Sequence, residues 1–258
     1  MPRTPAFAAV VLAAGGGTRM KSTLPKPVLP LLDKPMVHHV LEAVRAAGAE
    51  PVVVVVGHQA ERVRAALPSW CRCALQPEQL GTGHALQCAR AALGDWAGPV
   101  LVIYADTPLI QAATISRLLD MYYHFRPAAA LLTVELPDGG SYGRIVRNSH
   151  GLVEAIVEAA DCSPGQLAIR EINVGTYVFE APAIFEVLCR LHGNNAKGEL
   201  YLTDAVGLLR EDGGEVRALV APDPGEALGV NTLEELQAAA QVLAARPGAR
   251  PGGGNGTL

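Results

Sequence analysis

Residues 6–20 read AFAAVVLAAGGGTRM, an apolar run from Ala6 to Leu12 that passes through small residues into Gly15, Gly16 and Gly17. A short, continuously apolar run ending in small residues suits a strand buried on both faces of a mainly parallel sheet. The small residues that follow, Ala13 to Gly17, let backbone N–H groups approach a triphosphate with no bulky side chain in the way. The loop is neither a Walker loop nor a clean GxGxxG, and on its glycines alone a generic turn is an equally good reading. Arg3 and the apolar run resemble a short signal peptide, but the run leads into glycines rather than a cleavage site, so we expect a first strand.

Outward from this strand the pattern alternates. Met36, Val37, Val40, Leu41 and Val44 recur at helical spacing after Pro35, and Gly48 stands where a helix would end. A strand at Val52 to Val56, a helix near Gln59 to Ala66, a strand near Cys73, a helix from Thr82 to Leu93 and a strand at Val100 to Tyr104 follow. Strands and helices in turn predict right-handed crossovers and an α/β fold with a doubly wound, mostly parallel sheet. After Ala130 strands are expected near Leu131 to Val134, Arg144 to Val146, Leu152 to Val157 and Ile172 to Phe179, building a smaller mixed-sheet subdomain over the substrate. Helices near Pro182 to Leu191 and Leu202 to Leu209, a strand at Val216 to Val220 and a helix from Leu233 complete one domain, 6–244. The tail 245–258 lacks the apolar groups that offset ordering entropy and is expected to be disordered. No hexapeptide run or other internal repeat is visible.

Composition narrows the function. Half of the 258 residues are apolar, enough for a full core, and 21 Lys and Arg against 25 Asp and Glu leave a net charge of -4. That is the wrong sign for a chain held to nucleic acid by general electrostatics. No apolar stretch approaches the roughly 20 residues of a membrane helix, so a cytosolic protein is expected. The five cysteines include no CxxC pair and are expected to be reduced, mostly buried thiols. None of the seven histidines sits in a ligand or catalytic pattern, and they are read as structural.

Arg19 stands close behind the glycines, and Lys26 lies between Pro25 and Pro27, which should hold its ammonium in an extended segment. Two fixed cations beside a phosphate loop suit nucleotidyl transfer, whose transition state gathers negative charge on the α-phosphate and the leaving pyrophosphate. Asp106 ends an apolar strand, where open α/β sheets place their ligands, and a lone acid there suits a metal.

The stretch LAAGGGTRMKSTLPKPVLPLLDKPMVHHV (12–40) resembles the opening of the bacterial N-acetylglucosamine-1-phosphate uridylyltransferases, within the wider MobA-like nucleotidyltransferases. The resemblance continues in order through Gln76-Pro-Glu-Gln-Leu-Gly-Thr-Gly-His84, Tyr104-Ala-Asp-Thr-Pro-Leu109, Tyr142-Gly-Arg-Ile145, Ile156-Val-Glu158, Glu171-Ile-Asn-Val-Gly175, Asn194-Asn195 with Gly198-Glu-Leu-Tyr-Leu-Thr-Asp204, and Gly229-Val-Asn231. It implies UTP and a sugar-1-phosphate as substrates. Arg19 and Lys26 would serve the triphosphate, with Leu12, Ala13, Ala14 and Gly15 cradling it. Gln76, Gly81 and Thr82 would recognise uracil. Tyr104, Ala105, Gly143, Glu158 and Asn173 would hold sugar and ribose, with Glu199 and Tyr201 closing the pocket. Asp106 and Asn231 would hold Mg²⁺. Taken alone, Asn231 reads as the N-cap of the last helix and Thr82 as a helix-start residue.

Three departures stand out. The family's full-length members carry a hexapeptide-repeat β-helix after this domain, and this chain stops short of one, so acetyl transfer is not expected. Ala159-Ala160 stands where the resembling enzymes generally show His-Lys, which puts the sugar-phosphate contact in question. Ala105 replaces a customary glycine. Another base or acceptor, such as a different hexose-1-phosphate or a molybdopterin, and a non-catalytic sugar-nucleotide sensor stay open as alternatives.

Overall fold

The computed structural model describes residues 6–17, 20 and 22–246. Arg19 and the tail residues 247–258 lie outside the described residues.

In chain order the elements are β1 (Ala8–Ala13), the short ribbon β2 (Pro30–Leu31) and β3 (Lys34–Pro35), α1 (Met36–Ala46), β4 (Val52–Val56), α2 (Ala60–Ala66), β5 (Arg72–Leu75), α3 (Thr82–Leu93) and β6 (Pro99–Tyr104). They continue with α4 (Ala112–Phe125), β7 (Ala129–Glu135), β8 (Arg144–Arg147), β9 (Val153–Val157), α5 (Pro164–Leu167), β10 (Glu171–Glu180), α6 (Ala181–Leu188), α7 (Asp204–Glu211), β11 (Val216–Val220), α8 (Pro224–Ala227) and α9 (Leu233–Ala245). α1 stops as its glycine predicts: Gly48 takes φ +96° and donates its N–H to the Arg45 carbonyl at 2.9 Å.

The main sheet runs β11-β7-β10-β6-β1-β4-β5, and every strand on this path is parallel except β10, which is antiparallel to both β6 and β7. β1 lies inside the sheet with all its residues buried. Alternate side chains of one strand serve two cores. Val10, Leu12, Val53 and Val102 pack with α3, α6 and α7, whereas Val11, Val54, Leu101 and Ile103 pack with α1 and α4. Helices on both faces are the physical reason for the unbroken Val-rich runs: neither face can be polar. From β1 the chain moves outward through β4 and β5, then returns to β1's other side as β6. The strand order reverses there, and the carboxyl ends of β1 and β6 open a crevice.

Three expectations change in detail. The second half does not build a separate sheet. β7, β10 and β11 extend the main one, and only the hairpin β8–β9 leaves its path, paired to the start of β10. Strand periodicity is the same in both settings and cannot distinguish them. α4 fills the interval after β6 where no element is expected from the reading above, although Ile115, Leu118, Leu119 and Tyr122 repeat at helical spacing and are buried. The cysteines are unpaired, but four are only partly buried and Cys189 is exposed. Cys71 and Cys73 border or belong to the edge strand β5; burial still pushes the Cys71 thiol up to about 12. Among the described residues no helix is long and apolar enough to cross a membrane.

Candidate active site

A cleft of about 540 Å³ lies over the carboxyl ends of β1 and β6. Leu12, Ala13, Ala14, Gly15, Lys26, Gln76, Gly81, Thr82, Tyr104, Ala105, Asp106, Gly143, Glu158, Asn173 and Asn231 all line it, together with Glu199 and Tyr201. The loop after β1 is held from behind, because the Ala14 carbonyl accepts the His58 N–H at 3.1 Å. Gly17, at φ +58°, backs onto Lys26: a Cβ there would lie 2.7 Å from the Lys26 Cβ.

Lys26 opens a single 3-10 turn, Lys26–Val28, rather than the expected extended segment. Pro25 is extended, as a residue preceding the turn must be, and Pro27 accepts the helical φ of its second position. The side chain is 12% exposed. Its Nζ donates to Asp106 Oδ2 in an ion pair and to Asn231 Oδ1 at 3.0 Å. The loop bearing Asn231 is sewn to the β6 turn by the Val230 N–H, which donates to the Asp106 carbonyl at 2.7 Å. Thr232, not Asn231, caps α9, forming a capping box with Glu235. The Asn231 amide oxygen is thereby left to the cleft.

Gln76, Gly81 and Thr82 line the cleft together. Gln76 is 3% exposed, and its Nε2 donates to the Gly81 carbonyl at 3.0 Å. Gly81 is required by backbone geometry: at φ +114° a Cβ would meet the Leu200 carbonyl oxygen at 2.6 Å. Thr82 begins α3, but its Oγ1 accepts the Leu202 N–H at 3.0 Å, tying this part of the cleft to the segment that carries Glu199 and Tyr201. His38 and His39 each meet a backbone carbonyl through Nε2, as structural histidines do.

Where it borders the cleft, β10 is irregular. Its register against β7 shifts between Asn173 and Thr176, which aims Asn173 into the cleft. Asn173 Nδ2 donates to the Tyr177 hydroxyl at 2.7 Å, and its Oδ1 accepts the Gly175 N–H at 3.2 Å. Glu158 Oε1 accepts the Thr203 hydroxyl at 3.0 Å. Burial pushes the Glu158 carboxyl above the ordinary carboxylate range, opposed by the Thr203 hydroxyl and the Lys197 ammonium and assisted by Asp204 and Asp161. Desolvation likewise raises the Tyr104 phenol well above its usual range.

Lys197 escaped the sequence reading. It lines the cleft beside Glu158, with its Nζ 6.0 Å from the Tyr201 ring centroid. Its segment is pinned by the Ala196 N–H, which donates to Asp161 Oδ1 at 2.8 Å, and by Asn195 Oδ1, which accepts the Lys197 and Glu199 N–H groups at 3.2 Å each. A cation thus stands near Glu158 although Ala159 and Ala160 bring none. No local pattern marks Lys197, since its neighbour Glu158 is set by tertiary structure.

Among the described residues no group of three or more His, Cys, Asp or Glu side chains is placed to hold a metal. The oxygens of Asp106 and Asn231 nevertheless converge on one cation, the Lys26 ammonium.

Residues 9–194 match the model of the MobA-like NTP transferase domain. The bifunctional protein GlmU of Shouchella clausii is 44% identical over 238 residues, 92% of this chain and 52% of the relative. That of Brevibacillus brevis is 47% identical over 231 residues, 90% of this chain and 50% of the relative. The chain therefore spans about half the length of the curated relatives it matches. In fold it is similar to a UDP-glucose pyrophosphorylase complexed with UDP-glucose, with a TM-score of 0.73 at 20% identity over 91% of this chain and 97% of that one.

Proposed function

The chain belongs to the MobA-like NTP transferase family, and from that premise we propose that it transfers the uridylyl group of UTP to N-acetylglucosamine-1-phosphate, releasing pyrophosphate. The observation that carries this reading is the meeting of Lys26, Asp106 and Asn231 in one cleft that the glycine loop, Gln76, Gly81, Thr82, Gly143, Glu158 and Asn173 also line. Such a cleft offers backbone and cations to a triphosphate, an amide to a base and a carboxylate to a sugar. The similarity to bifunctional GlmU proteins over more than nine-tenths of the chain supports the same assignment. The unit that does this work is 6–244.

In the proposed reaction an oxygen of the sugar phosphate attacks the α-phosphorus of UTP in line. The bond from that phosphorus to the bridging oxygen breaks, and pyrophosphate leaves with the electron pair. The attacking oxygen is already anionic, so no general base and no covalent enzyme intermediate are needed. Lys26 and Arg19 neutralise charge on the triphosphate, and Leu12 to Gly15 present backbone to it. Gln76, with an amide edge, pairs with the base, while Gly81 admits its ring. Tyr104, Ala105, Gly143, Glu158 and Asn173 seat the sugar and ribose, Glu158 accepting hydrogen bonds from hydroxyls.

Asp106 and Asn231 offer a hard cation two oxygens aimed at one point, so the donor set fits Mg²⁺. When bound there, the ion would be held by these two side chains and would lower the charge on the reacting phosphates.

The test is a screen of the purified chain against the four ribonucleoside triphosphates and a panel of sugar-1-phosphates and molybdopterin, with pyrophosphate release as readout, with Mg²⁺ and with chelator. Fastest release with UTP, Mg²⁺ and N-acetylglucosamine-1-phosphate is expected, and none with chelator. Faster release with another triphosphate or acceptor replaces the assignment. UDP-sugar binding with no release under any condition identifies a sensor instead.

Glu158 supplies a pH prediction. A protonated carboxyl accepts sugar hydroxyls poorly, and its raised pKa places protonation at a higher pH than for an ordinary glutamate. kcat/KM for the sugar phosphate is therefore expected to fall on acidification through that raised value. In Lys197→Gln, which loses one of the influences holding it down, the acid limb should move further up in pH. A limb that stays in place would show that Lys197 does not act on Glu158.

A further inference from the structure

Arg144 begins β8, yet it is among the most deeply buried side chains of the molecule, 2% exposed, and no carboxylate lies within ion-pair distance of it among the described residues. Burying a guanidinium without an acid is expensive unless its donors are met. Both Nη groups bond to one loop, while the buried Nε has no hydrogen-bond partner. Nη1 donates to the Gly139 carbonyl at 3.2 Å and to the Tyr142 carbonyl, and Nη2 donates to the Gly140 carbonyl at 3.1 Å. Gly139 is shaped to this contact, since a Cβ there would lie 2.6 Å from the guanidinium carbon.

The consequence lies on the opposite side of the loop. In a trans peptide the C=O and the next residue's N–H point in opposite directions. Carbonyls of Gly140 and Tyr142 turned toward Arg144 therefore turn the N–H groups of Ser141 and Gly143 away from it, on the loop where both residues line the cleft. Two backbone donors separated by one residue and facing one way form a concave donor pair for a single oxygen. The Tyr142 N–H does not join them, because it donates to the Gly139 carbonyl at 3.1 Å within the loop.

We propose that Arg144 is a positioning residue for acceptor specificity: by drawing in the carbonyls of Gly139, Gly140 and Tyr142, it aims the amides of Ser141 and Gly143 at the acyl carbonyl oxygen of the acceptor sugar. This rests on the reading of the acceptor as an acylated amino sugar. Arg144 touches no substrate, and its effect passes entirely through the loop backbone. The buried positive charge behind the loop also favours partial negative charge in front of it, where that oxygen is placed.

The test compares N-acetylglucosamine-1-phosphate with glucose-1-phosphate, which lacks the acyl amide, in wild type, Arg144→Lys and Gly139→Ala. Lysine keeps the charge but not the planar fork, and the alanine displaces the fork while leaving the arginine in place. The expected result is a loss of about tenfold in the preference for the acylated acceptor, the net worth of about one hydrogen bond. It should appear in the acceptor KM, with the UTP KM unchanged. Calorimetric binding of UDP-N-acetylglucosamine and UDP-glucose gives the same comparison without turnover, and thermal unfolding identifies any variant that does not fold. Equal losses for both acceptors, or a preference kept at full size in a folded variant, overturn the positioning role. A wild type that neither turns over nor binds the acylated sugar refutes the functional reading, and this proposal with it.

Discussion

Asp106→Ala is expected to lower turnover by about 10²-fold or more, and Lys26→Ala to do the same, with both proteins folded as the wild type. The two side chains form one ion pair, and Asn231 Oδ1 joins it at 3.0 Å. Removing Asp106 takes away the only carboxylate of this trio and half of the oxygen pair that fits Mg²⁺. Removing Lys26 takes away a cation whose place is determined by Pro25, Pro27 and the close approach of Gly17. In the proposed mechanism each change removes stabilisation where transition-state charge collects, so the loss should fall on kcat more than on the KM for UTP. Asp106→Ala should also raise the Mg²⁺ concentration needed for half-maximal rate, a shift that Lys26→Ala need not show. The measurement is steady-state pyrophosphate release across a Mg²⁺ titration. Near-normal rates in both variants would remove the basis of the proposed mechanism.

The largest expected effect on stability belongs to Gly175→Ala. Gly175 has φ +76°, and the position its Cβ would take lies 2.0 Å from Cε2 of the Tyr104 ring. A left-handed alanine costs about 1–2 kcal/mol, and forcing a ring aside in a packed site adds about 1–3 kcal/mol. For a domain of this size the sum corresponds to a fall in Tm of roughly 5–15 °C. The same change disturbs the residues proposed to seat the sugar, because the Gly175 N–H holds the Asn173 side chain and Tyr104 lines the cleft. The variant should therefore unfold early and, below its Tm, show a raised KM for the sugar phosphate. A calorimetric Tm within roughly 2 °C of wild type would show that the ring moves freely, against the close packing on which this expectation rests.

The two predictions draw on different kinds of information. Asp106 and the glycine loop are visible along the chain, because a strand end and a run of small residues are local features. Gly175 is visible only as a glycine in a strand pattern, and its purpose appears when the Tyr104 ring is found in the space of its missing side chain. Asn231 lies between these cases. Its neighbourhood suggests a helix cap, and only the assembled loop shows Thr232 taking that role. Lys197 is further still from local inference, since nothing near it in the chain announces Glu158.

What the sequence by itself determined is most of the elements and their layering: valine runs too apolar for any but a doubly covered sheet, helical spacing in α1, and a glycine turn after β1. Those follow from burial and backbone sterics, which act over a few residues. What only the tertiary structure decided is the company each residue keeps. The joining of β7, β10 and β11 to one sheet, and the meeting of Lys26 with Asp106 and Asn231, 80 and 205 positions away, depend on crossovers that close long loops. Side-chain period is indifferent to which strand lies alongside, so the pairing is settled by packing of the whole domain and cannot be read from any one segment.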